Sequence, residues 1–503
     1  MTNFIRNNRA LFITLIITLV LVGMVVQGLE PKVWMSILLS GITLAAIYFL
    51  IASGLSLIFG LMDVLNFAHG AIFSFGAYVG LSTFANPRLL FNTFPFFLAL
   101  VAGSNLSAQF GAHIWERIKS KRIQQILWFI LLAVSAGVIL FALRRFPLDK
   151  INAFSVTAVG GAVPTDEAQE PLSLMIQRVT MLFVAGIPLG ILFAPRQLRE
   201  VRSKKPLWQT LLMVIGLLGI GYVILFARDA GEQLVLGLSA DLRLLLAMIL
   251  GTLAGAAVGV AIETVLIQPF YGNPVTQLVL TLGLNYASID LIEAIWGDEG
   301  HPPLQPLPSF FAGSCRSDSL FSWFSEKCTS IDVLGRAFPT YRLFIIAIGV
   351  FVFIAVGILL KRSRIGMIIR AGVQDSEMVQ ALGINVRRVF TFVFALGSGM
   401  AALGGVIAAP FLGVYPAMGP AFLFQGFIAV VIGGMGSYAG AAIGTLLLGL
   451  ARAFGDHFVA AGIDLPFLET TIRGSPAIAK ASAVLIMAIV LLVRPAGIFG
   501  KKE

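Results

Sequence analysis

The 503-residue chain is 58% hydrophobic and only 12% charged, about half the charged fraction of a soluble domain. That balance excludes a large soluble enzyme, because the apolar residues fall in runs of about 18–25, the span of a hydrocarbon core. The formal net charge of +10 is not a sign of nucleic-acid affinity: the basic residues sit in short clusters between apolar runs, and no base-reading element accompanies them.

The N-terminal stretch MTNFIRNNRALFITLIITLVLVGMVVQGLE has the charged-then-apolar order of a signal sequence. Its apolar part is longer than a typical signal core and no small-x-small cleavage site stands out. A retained first spanning helix is therefore expected, with Arg6 and Arg9 inside. Apolar blocks then recur near 33–60, 68–84, 94–112, 124–142, 174–194, 207–227, 242–267, 276–295, 342–360, 389–410, 421–433, 440–453 and 480–494. Lipid-exposed backbone must satisfy its own hydrogen bonds, and the blocks are too long for barrel strands, so helices are expected. The expectation is an all-α polytopic membrane protein, a bundle of about 12–14 transmembrane helices including broken or re-entrant Gly-rich segments.

Alternation from a cytoplasmic start puts the clusters Arg117–Arg122, Arg196–Lys205, Lys361–Arg370, Arg387–Arg388 and Lys501–Lys502 in the cytoplasm, as the positive-inside rule requires. Arg144 and Arg145 are the exception. The blocks 421–433 and 440–453 are short for a span and are joined by GGMGSYAG (433–440), which suggests broken or re-entrant half-helices. The acidic stretch PTDEAQE (164–170) and the polar stretch 297–340 fall outside. The chain's two cysteines, Cys315 and Cys328, lie in the latter, where a disulfide is permitted and two unpaired thiols are the alternative.

No catalytic constellation is visible. His69, His113, His301 and His457 lie far apart and form no metal-ligand spacing. GGMGSYAG lacks the G-K-[ST] ending of a phosphate loop. No catalytic residue, metal or cofactor is expected in this chain. The unusual connector is KRSRIGMIIRAGVQDSEMVQALGINVRRVF (361–390). Asp375 and Ser376 are N-cap candidates, Met378, Val379 and Leu382 make an apolar face, and Gly383 is placed to end a short helix. Such an element suits a partner's groove; a plain basic connector is the alternative.

Polar groups inside apolar blocks cost about 2.5–3.5 kcal/mol each when charged, so their default reading is functional or paired. In GLSLIFGLMDVLNFAHGAIFSFGAYVG (54–80), Asp63, Asn66 and His69 are spaced by three, which places them roughly along one helical face. Capping of the next helix by Asp63 and Asn66 is the competing reading, as is a helix broken around Asp63–Gly70. Glu263, with the neutral Asn285 and Gln425, completes the set of pathway candidates.

Four stretches, in order, resemble the permeases of hydrophobic or branched-chain amino-acid ABC transporters, LivH type. GLSLIFGLMDVLNFAHGAIFSFGAY (54–78) resembles that family's N-terminal signature, and IETVLIQPFYGNPVTQLVLTLGLNYASIDLIEAIWG (262–297) its central helix pair. RSRIGMIIRAGVQDSEMVQALGINVRRV (362–389) is similar to its coupling loop, and FLFQGFIAVVIGGMGSYAGAAIGTLLLG (422–449) to its Gly-rich segment. The resemblance implies an importer subunit in a prokaryotic plasma (inner) membrane, both termini cytoplasmic. Its partners would be a second related permease, two ATP-binding subunits that hydrolyse ATP, and an extracytoplasmic solute-binding protein.

Asp375, Glu377, Ala381, Leu382, Gly383, Ile384, Arg387 and Arg388 would then form the ATPase-coupling loop. Pathway or helix-break roles would fall to Asp63, Asn66, His69, Gly70, Glu263, Gly433, Gly434 and Gly436. The organisation implied is an anchor helix (1–32), a first core part (33–84), an inserted segment with four extra apolar blocks (85–240), a second core part (241–498) and a tail (499–503). Urea or short-chain amide import, and ion-coupled secondary transport, stay open as alternatives.

Overall fold

A computed structural model of the chain describes residues 30–62, 65–118, 120–143, 171–198, 207–271, 273–303, 308, 311, 313–374, 376–461, 463–464, 471–472 and, discontinuously, 484–500. The expected first helix with Arg6 and Arg9, Asp63, Arg144, Arg145, the 164–170 stretch, Asp375, most of the 480–494 block, Lys501 and Lys502 lie outside the described residues.

In chain order, α1 (Pro31–Met62) and α2 (Ala68–Ala85) are followed by α3 (Pro87–Arg117), α4 (Lys121–Leu143), α5 (Leu172–Leu198), α6 (Leu207–Phe226) and the short α7 (Arg228–Gly237). Next come α8 (Ala240–Ile262), a π-turn at Glu263–Ile267, a 3-10 turn at Gln268–Phe270, and α9 (Pro274–Trp296). A small sheet follows: β1 (Gly313–Ser317), α10 (Leu320–Glu326), β2 (Cys328–Val333) and β3 (Arg336–Pro339). The chain continues through α11 (Thr340–Arg362), α12 (Arg364–Gln374), α13 (Ser376–Ala381), α14 (Val386–Leu412), α15 (Met418–Gly433) and α16 (Tyr438–Ala461) to a two-residue pair, β4 (Ile463–Asp464) and β5 (Thr471–Ile472). Among the described residues, ten helices are long and apolar enough to cross a membrane.

The chain divides into two compact units. The first takes in residues up to 81, 240–293 and 298 onward. Its centre is α1 and α14: 83% and 78% of their most apolar stretches are buried, against 22% for α11. A helix that is apolar all round belongs inside a bundle, whereas one with a bare apolar face meets lipid. Small residues allow close packing at the centre. Gly251, Gly255 and Gly259 of α8, four apart, lie against Val406, Ala402 and Ser398 of α14, the small-residue contact that replaces a hydrophobic drive between helices in lipid.

The second unit comprises 82–239 with 294–297. Its apolar core joins α3, α4, α5 and α6 through Phe96, Ala99, Ala142, Met175, Val179, Leu182 and Leu225. Ser135 Oγ donates to the Ala185 carbonyl at 2.9 Å, and Arg88 pairs with Asp229 at 2.6 Å and Glu232 at 3.3 Å.

Two expectations need correction. The 440–453 block is not a half-helix: α16 runs 24 residues. Its polar end, RAFGDHFVAA, continues the helix with no Pro or Gly-rich break, and Arg452 and Asp456, pairing one turn apart at 2.9 Å, add a small increment. The 297–340 stretch is not merely a polar loop. In its sheet β1 pairs parallel to β2, and β2 antiparallel to β3. Cys315 and Cys328 are joined as a disulfide, and Thr340 Oγ1 ties the sheet to the start of α11 by donating to the Cys328 carbonyl at 2.9 Å.

Candidate functional site

The site is built at two places in the first unit: the interruption between α1 and α2, and the connector between α11 and α14. The interruption is shorter than the Asp63–Gly70 break expected. α1 ends at Met62 and α2 begins at Ala68, so His69 and Gly70 are helical. Asn66 explains the restart: its Oδ1 accepts from Ala68 N at 3.0 Å and its carbonyl from His69 N at 3.3 Å, the work of an N-cap side chain. Because no single helix carries both, the spacing of three does not set Asn66 and His69 along one face. His69 is fully buried, beside the Ile51 carbonyl and close against Gly54. Gly70 lies against Gly419 at the start of α15.

The interruption is braced from α9. Thr281 Oγ1 accepts from Phe67 N at 3.2 Å and lies 3.5 Å from the Leu65 carbonyl. Gln277, Thr281 and Asn285, four residues apart, form a buried polar stripe on this helix, whose opposite side exposes Val275, Val279 and Tyr286. A void of about 10 Å³ bounded by Leu55, Leu65, Asn66, Phe67, Leu423 and Phe427 sits beside the interruption. Gln425, on α15, is partly buried, and its Oε1 has no partner among the described residues.

The second Gly-rich break meets α1 near its end. Gly436 (φ 77°) lies so close to Gly60 of α1 that a Cβ there would stand 2.8 Å from its Cα. Gly433 lies against Gly440, and Gly434 against Gly500. The last carbonyls of α15 are satisfied from the C-terminal segment: Ile498 N donates to the Ile432 carbonyl and Phe499 N to that of Gly433, each at 2.9 Å. A helix end placed away from water needs such partners.

The connector contains two helices, α12 and α13, where one short helix is expected from the sequence. Gly383 ends α13 at φ 80°. Gly383 N donates to the Gln380 carbonyl at 2.9 Å and Ile384 N to that of Val379 at 3.3 Å, the paired bonds of a Schellman motif. Ala381 closes the helix, and Asn385 caps the next by accepting from Arg388 N at 3.2 Å. The expected apolar face is divided. Val379 is buried, while Met378 and Leu382 are 59% and 73% exposed, with Met367 of α12 also 59% exposed. Arg387 and Arg388 are exposed at the start of α14, and Glu377 falls within α13.

Glu263 is fully buried, at the first position of the π-turn. Tyr271 Oη donates to its Oε1 and Thr391 Oγ1 to its Oε2 at 2.8 Å. Tyr271 also meets Phe390 edge-on, at 5.7 Å between ring centres. Sequence reasoning missed Tyr271, Thr391, Gln277 and Thr281. The last two carry a legible signal, polar residues four apart with Asn285 on an apolar helix; the first two are identified only by their contact with Glu263.

Buried central helices, lipid-sized outer helices and two interrupted segments define a polytopic helical membrane protein. The sequence matches the branched-chain amino acid transport system permease component over residues 37–158 and 209–493, and the chain belongs to that family. It is 30% identical to the high-affinity branched-chain amino acid transport system permease protein LivH of Salmonella typhimurium over 273 residues, 54% of this chain and 79% of that one. It is 36% identical to LivH of Escherichia coli K12 over 151 residues, 30% and 44% of the two chains. With the BraD permease of Pseudomonas aeruginosa it shares 29% identity over 268 residues, 53% and 77% of the chains. No solved structure matches it.

Proposed function

We propose that this chain is the membrane-spanning permease subunit of an ABC importer and forms the path for branched-chain or other hydrophobic amino acids. Separate ATP-binding subunits supply the energy, a second related permease completes the path, and an extracytoplasmic binding protein delivers substrate. The observation that carries this reading is the α12–α13 element. It leaves Met367 and Met378 59% exposed and Leu382 73% exposed, and it ends in a defined turn at Gly383. Large apolar side chains clustered on a short helical element suit a partner's groove.

In this reading the basic connector faces the cytoplasm, and closure of the ATPases pushes α12–α13. The push passes to α11 and α14 at either end and rocks the bundle between two arrangements. A hydrophobic substrate needs few polar contacts on its way, which agrees with the sparse set at Asn66, Gln277, Thr281 and Asn285. The test is reconstitution with the cognate ATPases, second permease and binding protein in sealed vesicles. Leucine uptake that requires ATP and survives collapse of ion gradients is expected. Uptake driven by an ion gradient without ATP sinks the importer reading, and accumulation of urea or acetamide in place of leucine sinks the substrate assignment.

A further inference from the structure

A path of side-chain hydrogen bonds, joined by backbone at Phe270–Tyr271 and along one turn of α9, runs from the end of the α12–α13 connector to the α1–α2 interruption. It starts at Thr391, one turn into α14. The single Thr391 hydroxyl proton has two acceptors, Glu263 Oε2 at 2.8 Å and the Arg387 carbonyl at 3.1 Å. Glu263 holds Tyr271 through its other oxygen. Tyr271 follows Phe270, whose carbonyl accepts from Gln277 Nε2 at 2.7 Å. One turn along α9, Thr281 bonds Phe67 N and approaches the Leu65 carbonyl.

We infer that Glu263 is a positioning residue that ties the first turn of α14 to the α1–α2 interruption, so that movement of the connector shifts the Leu65–Phe67 segment. The inference rests on the importer reading only for the source of that movement. Three features favour it over a carboxyl that is merely satisfied. A π-turn inserts an extra residue into a helix and is frequent at functional sites. Its five residues begin at Glu263, so the carboxyl stands where α8 is most easily re-wound. Thr391 can pass its proton from the carboxyl to its own helix with a small displacement, which gives the contact two discrete states, as coupling between sites requires. Finally, α9 is a rigid 23-residue helix bonded at Gln277 to the turn before it and at Thr281 to the interruption, so it carries motion along its length.

The test uses the full chain in lipid nanodiscs with Leu65→Cys as a reporter. The native cysteines are joined to each other, so a maleimide reads only the new thiol. Glu263→Gln, Tyr271→Phe and Thr391→Val are each expected to change the labelling rate about threefold or more. The Glu263→Gln/Thr391→Val double variant should go no further than the larger single one, and Thr391→Ser should label as the parent does. Thr264→Val, which removes a neighbouring exposed hydroxyl bonded within its own helix, controls for local loosening.

Unchanged labelling in the three variants, additive effects in the double, or an equal effect from Thr264→Val overturns the inference. Labelling needs no ATP, substrate or partner, so this result stands apart from failure of the importer reading, which the uptake assay detects. In the assembled transporter, Glu263→Gln should lower leucine imported per ATP hydrolysed about threefold or more. Unchanged stoichiometry there overturns the coupling role.

Discussion

At Gly383 the backbone rather than any neighbour decides what is tolerated. A Cβ added there meets nothing within 4 Å, but φ is 80°, where a β-carbon costs about 1–2 kcal/mol. Gly383→Ala should therefore loosen the end of α13 and lower ATP-driven uptake while the protein still inserts, whereas Gly383→Asn, which tolerates this conformation, should stay near the parent. Gly383→Asp also suits the geometry better than alanine, so uncoupling by it would come from charge. Uptake with ATP turnover measured alongside separates these outcomes; equal activity of the alanine and asparagine variants would remove the turn from the mechanism.

Asn66 makes a comparable claim for its own side chain. Asn66→Ala should cost about 1 kcal/mol through loss of the cap on Ala68 N, read as a lower melting temperature in detergent, and Asn66→Ser should recover most of it. Both residues were legible in the sequence, Gly383 as a stop signal and Asn66 as one of two readings. The choice between cap and path lining was not legible, because it depends on where α1 ends, and the apolar run continues without a Pro to mark it.

Among elements, the long helices were legible because lipid demands runs of apolar residues. The departures occur where tertiary partners override the local pattern. α15 ends on amides from residues 498–499, whereas α16 continues past its apolar block with a local pair, Arg452 to Asp456, within its own last turns. The sheet at 313–339 carries no clean alternation: its longest strand has six residues, and its cross-link spans 13 positions. Closing a loop of about that size is worth about 3 kcal/mol. Cys315→Ser/Cys328→Ser should accordingly make residues 313–339 the earliest site of protease cleavage in the intact chain, with helices elsewhere unaffected. Equal resistance of parent and variant would assign the sheet's stability to Thr340 and its aromatic neighbours, Phe311 and Tyr341, instead.

On the scale of the molecule, the described residues of the second unit include four helices long and apolar enough to cross a membrane, α3 to α6. An even number of crossings puts the helices on either side of the unit in the relation they would have without it, and its core and its Arg88 ion pairs are internal to it. We propose that this region is an insertion: replacing residues 87–238 by a flexible Gly/Ser linker should then leave an inserting permease with uptake within about tenfold of the parent. Loss of uptake with normal insertion would give the unit a role in transport. Composition made the extra helices visible; which residues hold them to one another was not, since Ser135 to Ala185 and Arg88 to Asp229 join positions far apart in sequence.

The Cys315–Cys328 bond also acts as a compass. Such a bond forms and persists in an oxidising compartment and is rare in the reducing cytosol. One crossing, α11, separates the sheet from α12–α13. An oxidised pair in intact cells, protected from alkylation until a reductant is added, therefore places Met367, Met378 and Leu382 on the ATP-containing side, with no reference to the distribution of lysine and arginine.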